Sequence, residues 1–137
     1  MPSGVNTEKN LEALGHAKNL ENVPWCEDYE KMISGMLYSC EAPELEEGRV
    51  RARKLATKFN AYLPDDATMH SLSSDRLRML RTLFGHVGEG SYMEPNIQVD
   101  YGCNISVGER FYANFKYVLL LNFPSREKAR ILSHLAR

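Results

Sequence analysis

The sequence predicts an α+β chain, a helical unit packed on the first coils of a parallel β-helix. Three observations carry this. Apolar residues recur at helical spacing through residues 25–90. From Tyr92 the period changes to six: Pro95, Tyr101, Val107, Ala113 and Leu119 stand six apart, and Val99, Ile105, Phe111 and Tyr117 follow the first four of them by four residues each. The residues beside the first set, Asn96, Gly102, Gly108 and Asn114, tolerate unusual backbone angles, as tight corners between short strands require. A β-meander with chance spacing is the alternative, but four corners and four apolar positions in register favour a hexapeptide repeat.

Residues 1–24 are polar, lack a sustained period and are expected to be a flexible arm. "VPWCEDYEKMISG" then predicts a short helix, with Pro24 in its first turn, acidic residues after it and Gly35 at its end. A second helix should begin between Ala42 and Leu45. Ala52, Leu55, Ala56, Phe59 and Leu63 share one face, Arg51, Lys54 and Lys58 point elsewhere, and "LPDD" closes it. A third helix fits "SSDRLRMLRTLFG", capped by Ser73 or Ser74, striped by Leu77, Leu80, Leu83 and Phe84, and stopped at Gly85 or Gly88. Trp25, Leu55, Phe59, Leu80 and Phe84 are the expected helical core.

The hexapeptide stretch is expected to span residues 91–120, little more than one coil of three hexads. Solenoid units generally need about three stacked repeats, so marginal stability is expected. In residues 121–137 the rhythm fails, because Leu120 and then Arg126 occupy corner positions. Ser125 there can cap a short helix striped by Ala129, Leu132 and Leu135.

Composition narrows the functional classes. A chain of 137 residues, 43% hydrophobic and 26% charged with net charge −1, reads as one domain with no nucleic-acid footprint. No apolar run is long enough to span a membrane, and Glu8 and Glu12 argue against a transit peptide. Cys26, Cys40 and Cys103 are widely spaced, without a CxxC pair or Cys/His cluster, so a metal site is not expected. Reduced thiols suit the cytoplasm.

"YEKMISGMLYSCEAPELEEGRVRARKLATKFN" followed by "EPNIQVDYGCNISVGERFYANFKYVLL" resembles the maltose/galactoside O-acetyltransferase family, in its order and spacing, over about residues 25–120. The first block is similar to that family's N-terminal helical domain and the second to the opening of its left-handed β-helix. The resemblance alone supplies the handedness. It implies acetyl transfer from acetyl-CoA, as co-substrate, to a sugar hydroxyl, in a homotrimer whose sites lie between subunits. By its motifs "DYG" and "YAN", Asp100, Tyr112 and Asn114 would bind the acceptor. Each also has a purely structural reading: a turn hydrogen bond for Asp100, an outward strand position for Tyr112 and corner angles for Asn114. Cys40 stands where some members carry an acidic contact, so that role is not carried over.

The family's base is a histidine in a "THP"-like motif about thirty residues past "YAN". His16, His70, His86 and His134 occupy no such motif, so no catalytic residue is assigned. Two readings follow. The chain resembles a sugar O-acetyltransferase but is expected to be inactive alone because it stops before that coil; or it is a non-catalytic interaction or regulatory remnant, or an incomplete gene model. The tail is either a cap on an abbreviated solenoid or the product of a truncated gene model, and the second is favoured because most of the β-helix is missing along with the base.

Overall fold

In a computed structural model, the described residues are 4–114 and the strand Tyr117–Leu119. Four helices come first: α1 (Leu11–Ala17), α2 (Glu27–Ile33), α3 (Pro43–Ala61) and α4 (Met69–Leu83). Six short strands follow: β1 (His86–Val87), β2 (Tyr92–Met93), β3 (Ile97–Val99), β4 (Ser106–Val107), β5 (Tyr112–Ala113) and β6 (Tyr117–Leu119).

Every helix start has a local cause. The Asn10 side chain accepts from Ala13 N–H, and the Cys26 sulfur accepts from Tyr29 N–H at 3.3 Å. Pro43 stands in the first turn of α3, where its missing N–H leaves nothing unpaired. Thr68, five residues before the expected Ser73, caps α4 through a reciprocal box with Ser71. Ser73 instead donates back to the Met69 carbonyl inside the helix.

The expected arm is pinned rather than flexible. Asn6 donates to the Ser34 carbonyl at 2.7 Å, Asn10 N–H donates to Ser34 Oγ, and Lys9 bridges Glu27 and Glu30. Ala17 and Leu20 are buried. Polar anchors and scattered apolar contacts, from Ala13, Leu14, Ala17, Leu20 and Val23, hold this segment, so no long apolar stripe marks it in the sequence.

The strands form three parallel two-stranded ladders, β1–β4, β2–β5 and β3–β6. Each strand pairs with the one twenty residues on, as in His86↔Ser106, Tyr92↔Tyr112 and Ile97↔Tyr117. The coil is therefore two residues longer than three hexads. The excess lies in the corner 100–105 between β3 and β4. The coil also starts at His86, five residues before the expected boundary at 91, since Val87 pairs with Val107. The expected tail, 121–137, lies outside the described residues.

Two apolar clusters result. In one, α3 and α4 lay Ala52, Ala56, Phe59, Leu80, Leu83 and Phe84 over the coil's interior residues Val87, Met93, Ile97, Val99, Ile105, Val107, Phe111 and Ala113. Phe59 and Leu80 are buried together as expected, whereas Leu55 is only partly buried and Trp25 is 44% exposed. The second cluster joins Ala17, Tyr29, Met32, Ile33 and Leu45 to Tyr101 and Cys103 of the long corner. Tyr101 thus faces the helices, not the coil interior that its six-residue spacing predicts. The two extra residues carry it outward.

The lower edge of the first coil meets side chains from the helices. Asn60 donates to the Ile97 carbonyl at 2.9 Å and accepts from Ile97 N–H at 2.8 Å, taking the place of a neighbouring strand. Arg81 Nε donates to the Val87 carbonyl. Gly102 has φ of 77°, the left-handed angle expected of a corner. Gly108 is not in the left-handed region; Gly90 and Arg110, with φ of 73° and 54°, are. The corner after β4 therefore turns one to two residues later than the six-residue count places it.

Candidate functional site

Arg49 of α3 donates from Nη1 to Tyr101 Oη at 2.6 Å and from Nη2 to the Cys40 carbonyl at 2.7 Å. Its guanidinium also lies 5.7 Å from the Tyr101 ring centroid. One arginine thereby ties the 36–42 loop to the corner that presents Asp100. Ser39 N–H donates to Asp28, anchoring the same loop to α2. Beneath, Tyr29 Oη donates to Asn104 Oδ1 at 2.7 Å inside the second cluster.

Asp100 is half-buried beside this clamp. Burial first, then the electrostatic influence of the neighbouring Cys40 and Asp100, raises the Tyr38 hydroxyl pKa above its ordinary value. Burial likewise raises that of Tyr101, while the Arg49 cation opposes the rise. Tyr38 and Cys40 are exposed. The surface around Asp100 thus offers a carboxylate, an aromatic face with a hydroxyl and a fixed guanidinium, a set suited to a polyol.

Tyr112 and Asn114 lie on another side of the coil. Tyr112 points outward from β5, 51% exposed, with its ring stacked on that of Tyr92 at 6.2 Å. Asn114 is exposed just past β5. Within one chain, Asp100 belongs to the β3–β6 side and the other two to the β2–β5 side. The structure brings Tyr112 and Asn114 together and leaves Asp100 apart.

The described histidines stand elsewhere. His16 is on α1, His70 is exposed in the first turn of α4, and His86 is exposed on β1. His134 lies outside the described residues. Among the described residues, no group of three or more His, Cys, Asp or Glu could hold a metal, and no helix is long and apolar enough to cross a membrane.

Arg49 and Arg76 carry contacts that the sequence reading did not assign. Their signal was available. Arg49 falls four residues after Leu45 and three before Ala52, and Arg76 falls between Leu72 and Leu80, four from each. A cation at a stripe position is costly to bury unless partners await it.

Cys103 is buried, and burial pushes its thiol up to about 12 from an ordinary 9.0. The neutral thiol is the form the fold prefers. Stability from this group is complete below the unfolded thiol's pKa and is lost as pH rises from about 9 toward 12. The melting temperature should fall between pH 9 and pH 11, and less steeply in Cys103→Ala. Equal slopes in the two proteins would remove Cys103 as the cause.

The fold has counterparts among known proteins. Residues 31–88 match the family described as the maltose acetyltransferase hexapeptide capping motif. A sophorolipid acetyltransferase of Starmerella bombicola is 34% identical over 110 residues, 78% of this chain and 42% of that protein. A maltose O-acetyltransferase of Clostridium difficile 630 superposes with a TM-score of 0.60 at 39% identity, covering 69% of this chain and 48% of that one. A hexapeptide-repeat acetyltransferase of Vibrio cholerae O1 biovar eltor, crystallised with acetyl-CoA, gives a TM-score of 0.58 at 27% identity, covering 71% and 48%. The chain spans less than half the length of these relatives.

Proposed function

Because this chain belongs to the maltose/galactoside O-acetyltransferase family of hexapeptide-repeat proteins, we propose that it carries the acceptor-recognition part of an acetyl-CoA-dependent sugar O-acetyltransferase. The observation that carries this reading is the clamp of Arg49 on Tyr101 and Cys40, which fixes a corner presenting Asp100 beside Tyr38. The coil is read as left-handed, and the setting as cytoplasmic, in keeping with three free cysteines.

In this reaction a sugar hydroxyl attacks the thioester carbonyl of acetyl-CoA. The new C–O bond forms as the C–S bond breaks, and the hydroxyl proton passes by way of a base to the departing CoA sulfur. A hydroxyl is a weak nucleophile at neutral pH, so the base contributes about 10²–10⁴-fold. The parts assigned here are orientation and recognition. Asp100 accepts from sugar hydroxyls, Asn114 donates and accepts, and Tyr112 offers a face to the sugar ring. The base is assigned to none of the described residues.

Asp100 and the Tyr112–Asn114 pair lie on different sides of one chain. A closed trimer in which the long corner of one copy faces β5 of the next would unite them, and homotrimeric assembly is part of this proposal.

Two measurements test it. Acetyl transfer by the isolated chain from acetyl-CoA to maltose, glucose or a galactoside is expected at background, since none of the described residues is assigned as the base that the reaction needs. Acceptor binding reports the site directly. Asp100→Ala should weaken maltose binding by about tenfold in calorimetric titration, the effect of losing one charge-assisted hydrogen bond. Unchanged affinity would take Asp100 out of the site, and turnover well above background would overturn the first expectation.

A further inference from the structure

Arg76 is the most buried cation among the described residues, 6% exposed on the inner face of α4. Its guanidinium donates to Tyr92 Oη, lies 5.6 Å from the Tyr92 ring centroid and approaches Glu94 Oε2 at 3.8 Å. Nη2 reaches the Tyr62 carbonyl at 3.5 Å, and Nε is buried without a hydrogen-bond partner. Leucine at this stripe position would pack without desolvating a charge. Helix packing therefore does not account for the residue.

What Arg76 touches does. Tyr92 and Tyr112 are direct partners in the parallel ladder β2–β5. Their rings stack 6.2 Å apart at an interplanar angle of 10°. Tyr92 is half-buried and Tyr112 is 51% exposed, so the stack runs from a buried cation to an exposed aromatic face. An exposed tyrosine on a short strand has several rotamers open to it. A neighbour held from beneath by a fixed guanidinium selects one of them. Cation–π and ring-stacking contacts are each sufficient to bias such a choice several-fold.

We propose that Arg76 is a positioning residue for acceptor binding: it fixes Tyr92, and Tyr92 fixes the Tyr112 ring in the orientation that receives the sugar. The proposal rests on the reading above that Tyr112 contacts the acceptor. Binding faces need rings held within roughly 10–20° of their productive orientation, and the helical unit supplies that rigidity to a strand of two residues.

The test uses the whole chain with isotope-labelled tyrosine and maltose as the probe. Arg76→Met and Tyr92→Leu should each weaken maltose binding about five- to tenfold and move the Tyr112 ring signals toward those of a free side chain. Arg76→Lys keeps charge but not the planar fork, and should restore the melting temperature more than the affinity. Tyr92→Phe keeps the stack and loses the hydroxyl partner, so it should fall between wild type and Tyr92→Leu; it also serves if Arg76→Met fails to fold. Tyr112→Ala tests the underlying reading. If Tyr112→Ala or the wild-type titration shows no Tyr112-dependent maltose binding, that reading falls and the proposal falls with it. If Tyr112→Ala weakens binding while Tyr92→Leu and Tyr92→Phe leave ring signals and affinity unchanged, the positioning role alone is refuted.

Discussion

Gly102→Ala is expected to destabilise the fold by roughly 3–5 kcal/mol, from backbone strain and steric overlap acting together. Gly102 has φ of 77°, where a side chain is strained by about 1–2 kcal/mol. An added Cβ would also stand 2.5 Å from the Leu83 carbonyl oxygen and 2.9 Å from Leu83 Cδ1, at the end of α4. Neither neighbour can yield cheaply, because Leu83 is buried and its carbonyl is backbone. Gly108→Ala is the control. A Cβ there meets nothing within 4 Å, and its φ is not left-handed, so a change within about 0.5 kcal/mol is expected. Urea denaturation of the three proteins measures both effects. Equal midpoints for Gly102→Ala and Gly108→Ala would show that the long corner is not as tightly held as its contacts indicate.

Asn60→Ala should cost about 2–4 kcal/mol, as two buried backbone groups lose their partners at once. Ile97 is 1% exposed, so water does not replace the side-chain amide that both accepts from its N–H and donates to its carbonyl. Asn60→Asp keeps the acceptor and loses the donor, and should fall between the two. The lost pairing also bares a strand edge, so Asn60→Ala should bind an amyloid dye sooner than wild type at equal concentration. A midpoint within 0.5 kcal/mol of wild type, judged against the usual surface substitution, would mean that the coil edge does not depend on Asn60.

Much of this architecture was legible in the sequence. Helix periodicity located α3 and α4, because Ala52, Ala56, Phe59, Leu80 and Leu83 pack on one surface. The six-residue rhythm identified the coil, because Val99, Ile105, Val107, Phe111 and Ala113 line its interior. What escaped had no periodic signal. The anchors of the N-terminal segment are single side chains such as Asn6 and Lys9, spread over the surface of α2. The two-residue excess in the 100–105 corner leaves the six-residue count apparently intact, since Gly102 and Gly108 remain six apart, yet it turns Tyr101 toward the helices. Of the candidate site, the chain order showed Asp100, Tyr112 and Asn114 but not their distribution over two sides of the coil. Two-residue strands do not reveal which ladder they join until they are paired.

The second apolar cluster has a consequence for the chain during its own synthesis. Tyr29 and Asn104 are separated by 75 residues, and their hydrogen bond lies inside the cluster that Tyr101 and Cys103 complete. At about 5–20 residues per second, ribosomes need about 4–15 s to make those 75 residues. For that interval Tyr29, Met32 and Ile33 have no lid, and Leu45 has none from the time α3 is made until the corner follows. The nascent chain therefore presents an apolar surface of its own for several seconds, long enough for a chaperone to find it, and the long corner that ends this exposure is also the segment that holds Asp100.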